Sequence, residues 1–142
     1  MWITRRKRAG RPRPEIEVTC AVIAGDRKVL AVRRSETMPH PLKWEFPGGK
    51  IREGENPEKC IIREIREELG VKVKVERLMP TVRHGYDTHA VKLIPFICSI
   101  REREITLAEH REYRWIPCGE LDRVDWLEAD LEVVAMVREQ LC

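Results

Sequence analysis

The run GKIREGENPEKCIIREIREELGV, Gly49–Val71, constrains this chain more than any other stretch. Asn56-Pro57 is a helix start, with Asn as N-cap, Pro at the first helical position and Glu58 in the first turn. The helix should run to about Leu69, where Gly70 ends it. At about 100° per residue, Ile62, Ile65 and Leu69 fall on one side, with Ile61 at its margin. Glu64, Glu67 and Glu68 fall within another arc of roughly 100°. One side can therefore enter a core while another gathers carboxylates.

The flanking segments read mostly as strands. Ile16 to Ala24 is a β-branched apolar run, Gly25-Asp26 marks a turn, and Lys28 to Val32 returns as the second arm of a hairpin. Arg33 to Lys43 is a loop, and Trp44-Glu45-Phe46 is a short extended piece that stops at Pro47-Gly48-Gly49. Strands are expected over Val71 to Val75, Leu78 to Arg83, Ala90 to Ile100 and Tyr113 to Ile116. Gly119 to Leu121 reads as a turn of helix, and Asp130 to Leu141 as a final helix with Leu131, Val134, Met136, Val137 and Leu141 apolar. There is no repeat and no βαβαβ alternation. The expected class is α+β, a mixed sheet between helices.

At 142 residues the chain suits one domain with a sizeable core. Charge divides it unevenly. Residues 1–14 hold Arg5, Arg6, Lys7, Arg8, Arg11 and Arg13 and no acid. Removing those six from the 27 basic residues leaves 21 against 24 acidic ones, so the body carries −3. The tail, 1–14, is expected to be mobile and separate from a folded unit, 15–142. It reads as a solvated extension, with nucleic-acid contact as the competing reading. The N-terminus lacks the apolar core of a signal peptide, and no apolar run approaches membrane-spanning length, so a cytoplasmic protein without membrane contact is expected. The five cysteines are scattered and never form CxxC, so neither a zinc site nor a disulfide framework is expected. Cys20, Cys60 and Cys98 lie in apolar runs and read as small buried hydrophobes.

Like charges at i,i+3 and i,i+4 repel by a few tenths of a kcal/mol per pair. Arg63, four residues before Glu67, can offset this, and a hard divalent cation would do so more directly. Composition alone would favour a solvated acidic face. The spacing points elsewhere: Gly49, five residues, Glu55, seven residues, then Arg63-Glu64-Ile65-x-Glu67-Glu68-x-Gly70-Val71. This matches all nine specified positions of the Nudix box, and the chain resembles the Nudix hydrolases from about Glu15 to its C-terminus. The resemblance implies an α/β/α sandwich and cleavage of a nucleoside diphosphate linked to another group. It implies that Glu64, Glu67, Glu68 and the Gly48 carbonyl bind Mg²⁺, with Mn²⁺ as a substitute. Glu109 corresponds to a loop acid facing the metals. Glu64 is also a candidate general base, Arg63 orients the acids, and Glu55 steadies the loop.

The run WEFPGGK before the box is similar to the MutT branch, which converts nucleoside triphosphates to the monophosphate and pyrophosphate. The implied task is nucleotide-pool sanitation, with 8-oxo-dGTP or cytosine triphosphates as substrates. By that resemblance Arg34 contacts phosphate, where a guanidinium offers a planar fork. Phe46 lies beside the base, although a core position suits it equally. Asp130 reads the base edge. As an ionised acceptor it would favour an exocyclic amino group, such as cytosine N4 or guanine N2, which raises the cytosine reading against a strict 8-oxo-guanine preference; it is also placed to cap the last helix. His84 and His89 flank a turn that could overhang the base, and His89 is a candidate substrate contact. A monomer or homodimer is expected. Competing readings are another Nudix substrate (ADP-sugar, dinucleotide polyphosphate, capped RNA) and a non-catalytic binding module, which would be expected to lack box glutamates; none is missing here.

Overall fold

A computed structural model describes residues 13–102 and 104–142. Eight strands appear in order: β1 (Glu15–Gly25), β2 (Lys28–Arg33), β3 (Trp44–Glu45), β4 (Gly48–Lys50), β5 (Val73–Leu78), β6 (Val82–Gly85), β7 (Ala90–Ile100) and β8 (Glu112–Pro117). Among the described residues two helices interrupt them, α1 (Pro57–Leu69) and α2 (Leu131–Leu141), with 3-10 turns at Cys118–Arg123 and Glu128–Asp130.

The long strand β1 organises the sheet. It runs parallel to β7 from Glu15↔Ala90 to Ile23↔Cys98. It is antiparallel to β4 at Val18–Cys20 and to β2 at its far end. The main path is β3-β2-β1-β7-β5, with β4 on β1, β6 on β7 and β8 on β2. Alternation along β1 sends Ala21 and Ile23 to one face and Cys20 and Val22 to the other. On the first face they meet Ile61, Ile65 and Leu69 of α1. On the second they meet Val133, Val134 and Val137 of α2, with Phe46 and Trp126. Helices therefore cover both faces, as expected for the sandwich.

Several local expectations shift. The β1–β2 hairpin pairs Gly25 with Lys28, so its two-residue turn is Asp26-Arg27, one residue later than expected. Both turn residues are left-handed, at φ 52° and 59°, the twist that suits such hairpins. Gly48–Lys50 is itself a strand, because Thr19 and its neighbours on β1 offer it partners. The expected strand Leu78 to Arg83 is divided: β5 ends at Leu78, and Met79, buried at 1% exposure, donates its N–H to the Pro95 carbonyl before β6 begins. Pro80 has no N–H to continue the ladder.

Helix α1 begins and ends as expected. The Asn56 side chain accepts the Lys59 N–H, and Gly70 at φ 69° donates its N–H to the Arg66 carbonyl. Its buried stripe is Ile61, Ile65 and Leu69, while Ile62 is 37% exposed. The expected ranking of Ile61 and Ile62 is thus reversed. The loop from Gly49 covers the side of α1 bearing Cys60, whose Sγ reaches the Gly49 and Lys50 carbonyls, and this leaves Ile62 at the rim. In α2, Leu131 is exposed and Val133 is buried.

Cys20, Cys60 and Cys98 are buried and free. Cys118 and Cys142, however, form a disulfide across Cα atoms 5.7 Å apart, which corrects the expectation of none. Spacing could not reveal it, because α2 brings the last residue back to the 3-10 turn after β8. No helix among the described residues is long and apolar enough to cross a membrane. Residues 1–12 of the basic tail lie outside the described residues. At the expected boundary, the Pro14 carbonyl accepts the Ala90 N–H.

Candidate active site

Arg63 is the hub of the box. Its Nε and Nη2 donate to the two oxygens of Glu55 at 2.7 and 2.9 Å. Its Nη1 donates to Glu64 at 2.7 Å and Glu67 at 3.1 Å, and Nη2 also reaches the Lys50 carbonyl. The paired hydrogen bonds from Arg63 lower the Glu55 carboxyl to about 2. The same pairing with Glu55 raises the Arg63 guanidinium further above its ordinary value. Glu55 thus reaches back across the loop and ties it to α1. Two glycines allow the close approach. A Cβ on Gly49 would fall 2.3 Å from the Glu64 carboxylate, and one on Gly48 would fall 2.0 Å from the Thr19 carbonyl. Thr19, fully buried, donates to the Gly49 carbonyl.

Glu68 has a different partner. The loop before β8 runs along the end of α1, with the Thr106 and Ala108 N–H groups on the Leu69 and Glu68 carbonyls. This places His110 beside Glu68: Nδ1 lies 2.5 Å from Glu68 Oε1, and the His110 backbone N–H donates to the same oxygen. The other ring nitrogen, Nε2, lies 2.7 Å from Glu45 Oε2, which also accepts from Arg34 Nη1 at 2.9 Å. Burial works against the charged ring, but the bonds to Glu45 and Glu68 outweigh it and push His110 to about 9. Burial likewise opposes the Glu68 charge, and His110 overcomes it to hold the carboxyl below its ordinary value. The sequence reading did not select His110 or Glu45. His110 directly follows Glu109, and Glu45 lies within the WEFPGG run, so both stood beside signals already used.

One cavity of about 590 Å³ joins the glycine loop and His110 to the predicted base end, while Glu55, Arg63, Glu64, Glu67 and Glu68 are not among the residues that line it. Gly48, Gly49, Glu109 and His110 line one part, and Arg34, Phe46, His89 and Asp130 line others. Phe46 is 2% exposed and stacks on Trp126 with ring centroids 4.9 Å apart, so it is a core residue and a cavity wall at once. The Trp44 N–H bonds to the Asp125 carbonyl and the Leu127 N–H to the Trp44 carbonyl, which brings the segment before α2 against β3. Asp130 accordingly accepts the Phe46 N–H at 2.8 Å and is 4% exposed. It stands at the N-cap position of α2 without a capping bond, which corrects one of its two expected roles. Burial, reinforced by Glu45, pushes its carboxyl to about 8 against the opposing pull of Phe46 and Arg34. Burial thus favours the neutral carboxyl at Asp130, which speaks against an acceptor-only carboxylate there. His89 is half-buried in the cavity wall and stacks with Tyr86 at 5.2 Å. Tyr86 is a further wall residue that the sequence reading passed over.

Among the described residues, no three His, Cys, Asp or Glu side chains are gathered to hold a metal ion as they stand. Glu64 and Glu67 turn to Arg63, and Glu68 turns to His110. The donors still fit a hard divalent cation in kind. They are carboxylate oxygens on one helix, beside a glycine loop whose cradle a Cβ would fill. Glu67 is 52% exposed and has room to turn. Glu109 is exposed on the cavity wall.

The sequence pattern of the NUDIX domain matches residues 13–137. The chain belongs to the NUDIX family. Among curated NUDIX relatives it is 38% identical over 63 residues to an 8-oxo-dGTP diphosphatase of Proteus vulgaris, covering 44% of this chain and 56% of that one. It is 40% identical over 60 residues to a CTP pyrophosphohydrolase of Escherichia coli (strain K12), covering 42% and 44%. The matches thus span about half the length of these two relatives. A solved MutT of the Nudix hydrolase family from methicillin-resistant Staphylococcus aureus 252 is 38% identical, with a TM-score of 0.74 over 90% of this chain and 98% of that one.

Proposed function

We propose that this chain is a divalent-metal-dependent pyrophosphohydrolase of the MutT type, converting a nucleoside triphosphate to the monophosphate and pyrophosphate. The observation that carries this reading is one cavity lined by Gly48, Gly49 and Lys50 of the loop before α1, by Glu109 and His110, and by Arg34, Phe46 and Asp130. Its size suits a small-molecule ligand. Folded residues 15–142 form the catalytic unit in this reading.

Mg²⁺ or Mn²⁺, held by Glu64, Glu67, Glu68, Glu109 and the Gly48 carbonyl, would neutralise phosphate charge and activate water. The protein's own residues do the rest. Arg63 keeps Glu64 and Glu67 from repelling one another and anchors them to the loop through Glu55. Glu64 is the candidate that accepts a proton from the attacking water. Arg34, at the cavity wall, holds the phosphate end of the substrate. Positioning and local charge carry most of the barrier reduction.

Asp130 bears on the base. One of its oxygens accepts the Phe46 N–H, and a neutral carboxyl also offers a hydroxyl donor. It then resembles an amide in having both functions, which favours 8-oxo-dGTP as the first substrate to test. The likeness to an 8-oxo-dGTP diphosphatase supports that order, and the likeness to a CTP pyrophosphohydrolase supports cytosine triphosphates as the second reading.

The test is kcat/KM for pyrophosphate release with 8-oxo-dGTP, dGTP, CTP, dCTP, 5-methyl-dCTP, ADP-ribose and a dinucleotide polyphosphate. The expected maximum is 8-oxo-dGTP. A maximum on cytosine triphosphates would select the second reading. Activity confined to the last two substrates would overturn the MutT-type assignment.

A further inference from the structure

Four ionisable side chains from four places in the chain form one line: Glu68 on α1, His110 before β8, Glu45 on β3 and Arg34 after β2. Each is largely buried, with side-chain exposures of 12%, 9%, 15% and 18%. Its ends face different tasks. Glu68 belongs to the candidate metal carboxylates and Arg34 is the candidate phosphate contact. We propose that His110 is a positioning residue that couples cation binding at Glu68 to anion binding at Arg34, with Glu45 as the shared link. This rests on the function proposed above.

The coupling follows from a shared atom. Both His110 Nε2 and Arg34 Nη1 point at the same oxygen, Glu45 Oε2. His110 divides its two ring nitrogens between Glu68 and Glu45. When a cation takes Glu68, His110 keeps only its bond to Glu45. That bond tightens at the expense of the one from Arg34, and the guanidinium turns more readily to a phosphate. Arg34 Nε also donates to the Pro39 carbonyl at 2.7 Å, which steadies the stem and leaves the guanidinium its fork. In the other direction, an anion on Arg34 draws it from Glu45, His110 shifts toward Glu45, and Glu68 is released for the cation. Such a linkage is reciprocal by necessity.

A structural support and a coupler predict different results for His110→Gln. The glutamine amide keeps one hydrogen-bond reach but does not bridge both carboxylates, so Glu68 loses the ring that held it. The coupler predicts opposite changes at the two ends. Mn²⁺ binding to the nucleotide-free full chain, read by titration calorimetry or electron paramagnetic resonance, should tighten roughly fivefold, the lower range of ordinary coupling between sites. KM for the preferred triphosphate should rise by a similar factor, with kcat falling less. Replacing Arg34 by Lys should raise KM in the wild-type background by more than in the His110→Gln background, because the two changes then share one path. Glu45→Gln gives a second variant should His110→Gln fold poorly: it removes the shared charge, so the Arg34→Lys effect should shrink in it too.

Weakened Mn²⁺ binding together with a lowered Tm would reduce His110 to a scaffold residue and overturn the proposal. Additive effects of the Arg34 and His110 changes would overturn it equally. Wild-type protein that hydrolyses no nucleoside triphosphate would sink the parent reading instead. The Mn²⁺ arm needs no turnover, and unchanged or weaker Mn²⁺ affinity in His110→Gln would still reject the cation half of the coupling.

Discussion

Asp130 and Glu67 show how differently two candidate site acids are held. Glu67 is half exposed and bonded to Arg63 at 3.1 Å, so losing its charge should cost little stability. Glu67→Gln should nevertheless cut turnover by roughly 100-fold or more, the scale of a lost catalytic charge. Near-wild-type kcat with unchanged Tm would remove Glu67 from the mechanism. Asp130 is buried, and its folded carboxyl keeps its proton to about 8, whereas the unfolded one releases it near 3.8. Between those values the folded state binds more protons, so this residue lowers stability progressively as pH rises. Asp130→Asn keeps an acceptor for the Phe46 N–H and cannot ionise. Its Tm should exceed that of the wild type at pH 8 and approach it at pH 4. Parallel Tm profiles for the two proteins across that range would mean that Asp130 does not carry the proton.

At the scale of elements, α1 and the loop before it act as one piece. The glycines admit Glu64 to the loop, Glu55 reaches back to Arg63, and Thr19 and Cys60 hold the loop carbonyls from beneath. This loop decides which isoleucine is buried. Ile61→Ala should cost about 2–5 kcal/mol by opening a cavity. Ile62→Ala, at the rim, should cost under about 1 kcal/mol. Equal losses in chemical denaturation would contradict the burial pattern. The helix limits were legible because Asn56, Pro57 and Gly70 act within a few residues of themselves. The choice between Ile61 and Ile62 was not, since both lie near the same arc and only the loop separates them.

On the scale of the molecule, β1 joins the two layers and the disulfide closes the last one. Cys118 and Cys142 enclose 24 residues of chain separation, including the segment with Asp130. Chain-entropy reasoning assigns such a closure about 3 kcal/mol. Reduction with dithiothreitol, or Cys142→Ser, should therefore lower Tm by several degrees. Reduction that leaves Tm unchanged would show that burial of Val133, Val134 and Val137 holds α2 without it.

The sequence by itself determined the order of the box, the span of α1, the long strands β1 and β7, and the sandwich class. Each depends on local spacing: a cap, a left-handed stop, an apolar run, or nine specified positions in 23 residues. It also gathered Glu55, Arg63, Glu64 and Glu67, because one helix and its preceding loop carry them all. Tertiary structure alone decided the rest. His110 meets Glu68 across 42 positions and Glu45 across 65, and Asp130 meets the Phe46 N–H across 84. No periodicity reports such distances. The ionisation of Asp130 was not legible for the same reason: it depends on burial and on Glu45, and both arise only when the segment before α2 closes onto β3.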